Sequence, residues 1–111
     1  MQQEALLAAI TRVLESARRA QHTLTYLAIA DAVAMPGPQR IHKTTTLLEI
    51  LLARDHAAGR PLSSALAVSR TPPYLPAQGF FERARELGLF VGTDPAAFHR
   101  SLLAELYASD P

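Results

Sequence analysis

The run Gln39-Arg40-Ile41-His42-Lys43-Thr44 sets two cations, an amide and a hydroxyl side by side just after a Pro-Gly-Pro turn. If a helix starts there, its first amides and positive dipole end attract phosphate. The first turn of a recognition helix also reads bases. Gln39, Arg40, Lys43 and Thr44 are therefore candidates for contact with nucleic acid. They lie in a stretch free of acidic residues from Ala32 to Leu48, and a second such stretch, His56 to Phe81, holds Arg60 and Arg70 as a candidate wing. Three or four phosphate contacts of this kind give a log–log salt slope near −3. The plain alternative is that Arg40 and Lys43 are solvated charges lying over core residues.

Catalytic and metal chemistries find less support. His42, Glu49 and His56 share a helix face, but seven residues separate neighbours by about 10 Å, too far to share one ion. Ser63 and Ser64 lack the glycine elbow of a nucleophilic serine. Asp55 and His56, adjacent on a helix, point in different directions and make no ready acid–base pair. The five glycines are scattered at 37, 59, 79, 88 and 92, so no phosphate loop forms, and the chain has no cysteine. The expectation is a non-enzymatic protein with no cofactor and no metal. Phe80-Phe81 admits two readings, a peptide-binding surface or a plug in the core, and the second is favoured.

The elements that position these residues follow from periodicity. Leu6, Ile10, Val13, Leu14 and Ala17 make an amphipathic helix of residues 3–21. Thr25 caps a second helix, 25–34, stopped by Pro36-Gly37-Pro38. A third runs 39–57 and ends at Gly59. Leu62, Ser64, Leu66 and Val68 alternate with smaller residues, which predicts a strand over 64–69. The segment "TPPYLPAQG" reads as a loop with extended, polyproline-like pieces. A fourth helix covers 79–87, "LFV" is a short strand or buried coil, and Asp94-Pro95 opens a fifth helix, 95–108. The sum is a single domain, 1–111, mainly α with a small β element, winged-helix-like, with about five helices.

Charge decides little: residues 1–55 carry six basic and five acidic side chains, residues 56–111 five of each, for a net charge of +1. That balance argues mildly against a dedicated nucleic-acid binder. Nothing reads as a signal peptide or a membrane span, so a cytoplasmic protein with no membrane partner is expected. Leu6, Ile10 and Leu14 on the first helix, with Phe98, Leu102 and Leu106 on the last, offer a competing role. In it the domain dimerises or docks on another protein.

"TYLAIADAV", a glycine-proline turn and "RIHKTTTLLEIL" resemble the winged-helix domain of alkylguanine-DNA alkyltransferases and alkyltransferase-like proteins. Thr25, Tyr26, Ile29 and Ala30 match that family's Thr-Tyr-Gly-Glu-[Leu/Ile]-Ala stretch; Leu27 and Ala28 replace Gly-Glu. The resemblance spans residues 24–70 and implies a DNA-binding fold. It does not extend to alkyl transfer, because the family's Pro-Cys-His-Arg segment has no counterpart in "RPLSSALAVSR". From residue 24 onward, "AGRPLSSALAV", "LPAQGFFERARELG" and "DPAAFHRSLLAELY" are also similar to a group of small uncharacterised bacterial proteins. That similarity implies no activity.

Overall fold

Apolar residues spaced by three and four fold the first segment into a helix. In the computed structural model, which describes residues 2–109, α1 runs Gln2–Ala20 and buries Leu7, Ile10, Leu14 and Ala17. Leu6 and Val13 are half-buried at the edge of that stripe. Strand β1 (Leu24–Thr25) leads directly into α2 (Tyr26–Ala32), and the Thr25 hydroxyl accepts from Ala28 N at 3.1 Å, the expected cap. Helix α2 ends before the prolines: Ala34 turns left-handed and Met35 N donates to Ala30 O.

After that turn α3 runs Arg40–Ala57 and buries Leu47, Leu48, Leu51 and Leu52. It closes at Gly59, whose φ of +70° suits a residue without a side chain, and Arg60 N returns to Asp55 O. Helices α4 (Gln78–Glu86) and α5 (Pro95–Ala108) complete the helical set, with Asp94 capping α5 through Ala97 N at 3.1 Å. The chain is mainly helical with a small β element, as the periodicity predicts. No helix among the described residues is long and apolar enough to cross a membrane.

The expected strand 64–69 is corrected. Residues Ser63–Leu66 form a 3-10 turn, and only Ala67–Val68 is a strand, β2. It pairs in parallel with β1, Leu24 opposite Ala67 and Thr25 opposite Val68, so the described residues contain no β-hairpin. The alternation misleads because Ser64, Ala65, Leu66, Ala67 and Val68 are all buried. Small and large residues here fit a segment enclosed on every side, beneath α1, α3 and α5. The turn is set by Asp55, whose Oδ2 accepts from both Ser63 N and Ser63 Oγ.

The expected loop is present, and its first part closes on itself. Ser69 N donates to Leu75 O at 2.8 Å and Tyr74 N to Thr71 O, so residues 70–74 form a closed, exposed projection. Tyr26 Oη accepts from Ala77 N at 2.8 Å and pins the end of this segment to α2. Burial pushes the Tyr26 phenol up, so it stays protonated through neutral pH. "LFV" is coil: Phe90 is buried and stacks on Phe98 at 4.6 Å, beside Phe80 and Phe81. Phe80-Phe81 is thus part of an aromatic core.

Candidate nucleic-acid interface

The sequence offers six residues for contact, and the fold divides them. Gln39 sits at the start of α3 in a left-handed conformation, exposed, and its side chain makes no capping bond to the helix. Ile41 and His42 project outward from the first turn, Ile41 with about half its surface free at 49%. Lys43 is half-buried, and its ammonium donates to Pro36 O at 3.2 Å. Lysine has three donors, so two remain for another acceptor.

Arg40 is bound within the turn. Its Nε donates to Met35 O and its Nη2 to Asp31 Oδ1, both at 2.8 Å, which staples α3 to the end of α2. A nearby carboxylate offsets its charge for any phosphate. Thr44 leaves the surface altogether. It is 0% exposed, and its hydroxyl donates to Arg40 O at 2.9 Å. Thr45 and Thr46 bond back to Ile41 O and His42 O in the same way. The three threonines therefore satisfy helix carbonyls instead of offering donors to a ligand.

Arg70 and Arg60 part company. Arg70 and Thr71 line a groove with Thr25, Tyr26, Leu27 and Ile41. Leu27 and Ile41 also line the next depression, shared with Gln39, Arg40 and His42. The two grooves form one surface from the projecting loop to the first turn of α3, and no carboxylate lines either. Arg60 lies past the opposite end of α3, where its Nε donates to Asp55 Oδ1 at 3.0 Å. It belongs to neither the first turn nor the loop. Among the described residues Lys43 and Arg70 have no ion-pair partner.

Glu49, seven residues along from His42, lines neither groove, although its charge reaches the Tyr26 phenol and helps to raise it. Its carboxylate lies over Gly79 at the start of α4, where an added Cβ would meet Oε2 at 2.6 Å. Glycine there lets a negative group approach the positive end of α4. Leu27, Ile41 and His42 were missed as candidates. Leu27 and Ile41 gave no polar signal, and only the fold shows them at 40% and 49% exposure on the same surface.

The surfaces expected to dimerise are otherwise engaged. Ile10 and Leu14 expose 0% and Leu106 1%, all within the chain's own core, with Leu6, Phe98 and Leu102 packed against it. Arg18 fastens these helices together. It bonds Glu15 and reaches the carbonyls of Leu106 and Ser109, and it holds the Glu15 carboxyl down at about 2. Comparison with family models, with curated proteins and with solved structures yields no match. The surface is read from its own geometry.

Proposed function

We propose that the domain is a non-enzymatic, mainly helical binding module that docks on nucleic acid. It does so through the first turn of α3 and the adjoining 70–74 loop. One observation carries the reading: Arg70 and Ile41 line one groove, Ile41 and His42 the next, and no acid lines either. The free amides at the start of α3 add a phosphate-binding element that needs no side chain. Leu27 and Ile41 supply apolar contact of the kind that thymine methyl groups accept. The setting for such a module is the cytoplasm.

The phosphate contacts are fewer than sequence counting gives. With Thr44 buried, Arg60 remote and Arg40 paired to Asp31, the side-chain cations that no carboxylate neutralises here are Arg70, which lines the surface, and Lys43, next to His42 at its edge. Two neutralised phosphates set a log–log salt slope of about −2. Fluorescence anisotropy with a mixed-sequence duplex at several salt concentrations tests this. The double variant Lys43→Ala with Arg70→Ala should flatten the slope by about 2 units. No binding at micromolar protein in low salt, or binding that the double variant leaves intact, contradicts the reading.

A second reading draws on the same two exposed apolar side chains. Leu27 and Ile41, adjacent and rimmed by polar groups, suit a protein partner as well. Affinity for such a partner would depend weakly on salt and strongly on Ile41→Ala, the opposite pattern to the first reading.

A further inference from the structure

On the other side of His42 and Lys43, between the start of α1 and the first turns of α3, lies a cleft of about 310 Å³. Its floor is Leu6, Met35 and Leu47, and the last two expose only 3% and 7% of their surface. His42, Lys43 and Thr46 stand around its mouth. The volume lies at the small end of the range for small-molecule sites, about 300–1,000 Å³. An apolar floor with a few polar groups at one side is the ordinary composition of such sites.

The polar groups specify which kind of molecule fits. The titratable side chains lining the cleft are a lysine and a histidine, and no carboxylate is among them. Lys43 uses one donor on Pro36 O and keeps two. The Thr46 hydroxyl proton is committed to His42 O, so that side chain presents its methyl group and lone pairs. Gln2 and Gln3 add neutral amides, so the strongest free donor at the mouth is cationic and favours an anionic acceptor as the ligand's polar end. We propose that the cleft binds a small monocarboxylate with an apolar body, the carboxylate on Lys43 Nζ and the body over Leu6, Met35 and Leu47. If the nucleic-acid reading also holds, on which this consequence alone rests, the ligand withdraws Lys43 from phosphate and weakens nucleic-acid binding.

The test is an amide NMR titration of the full chain with octanoate, octylamine and octanol. Saturable shifts are expected at Leu6, Met35 and Thr46, with octanoate binding at least about tenfold more tightly than octylamine, as one charge-assisted hydrogen bond provides. Lys43→Gln should abolish that preference. Thr46→Phe, at an exposed helix position, should fill the cleft and abolish binding of all three. Failure of octanoate to saturate at millimolar concentration overturns the proposal. Equal affinity for the two ions, or a preference that survives Lys43→Gln, does the same. The titration contains no nucleic acid, so its outcome is independent of the duplex experiment.

Discussion

At its N-terminal end α3 leaves Ile41 and His42 exposed, with Lys43 half-buried beside them; toward its C-terminal end, about 20 Å along the axis, Arg54, Asp55 and the following Arg60 are each held by a partner. Both ends are basic in sequence. At the C-terminal end each arginine meets a carboxylate: Arg54 reaches Glu4 of α1 at 2.8 Å, and Arg60 reaches Asp55 at 3.0 Å. At the N-terminal end only Arg40 does, and the loop carrying Arg70 adds a second cation without an acid. A cation's role depends on which carboxylates the fold brings to it, and Glu4 lies fifty residues from Arg54 in the chain.

The contrast predicts a graded set of effects. Leu52, 0% exposed beside the closed end, should be the most sensitive position, with Leu52→Ala costing about 2–5 kcal/mol through lost transfer energy and a cavity. Ile41→Ala at the open end should stay within about 0.5 kcal/mol. Denaturant melts that give similar losses at both positions would remove the distinction between the ends. Next in size is Asp55→Ala, which leaves Ser63 N and the Arg60 guanidinium without their acceptor and should cost about 1–3 kcal/mol. A neutral result there would show that the 3-10 turn is held by packing alone.

His99 refines the closed side in a different way. It is buried on α5, its Nε2 lies 2.8 Å from Ala65 O, and burial pushes its pKa below the ordinary 6.5. Between the folded and unfolded values the unfolded chain binds more protons, so stability rises with pH in that window. Below the folded value the deficit is complete; above 6.5 it vanishes. His99→Gln keeps a donor for Ala65 O and has no proton to gain. Urea melts from pH 7 to pH 5 should show the wild type losing the stability that the variant retains. A small effect is also expected at Arg40→Ala, whose ion pair with Asp31 is exposed and worth at most about 1 kcal/mol.

Much of the scaffold is legible in the sequence because it rests on local rules. Asp94-Pro95 opens α5 at the residue its chemistry requires, Thr25 caps α2, and Gly59 closes α3. The 3-10 turn is not legible, since its geometry depends on a carboxylate from α3 reaching Ser63. The periodicity of Leu62 to Val68 also cannot separate one buried face from complete enclosure. The loop after β2 closes through Ser69 N to Leu75 O, a bond that no run of prolines announces. Of the proposed contact residues, Thr44 and Arg60 are removed by tertiary facts, one by burial and one by distance. Leu27 and Ile41 enter for the same reason, being apolar residues that the fold leaves uncovered.

One surface, the first turn of α3 with the 70–74 loop, is proposed to meet nucleic acid while the closed end is not. Backbone amide shifts on adding a short mixed-sequence duplex at low salt read this most directly. Perturbations should concentrate at Leu27, Gln39 to Lys43 and Arg70 to Tyr74, and leave Asp55, Arg60 and Ser63 unmoved. Shifts centred on Arg60 and Ser63, or none at any residue, would rule this surface out.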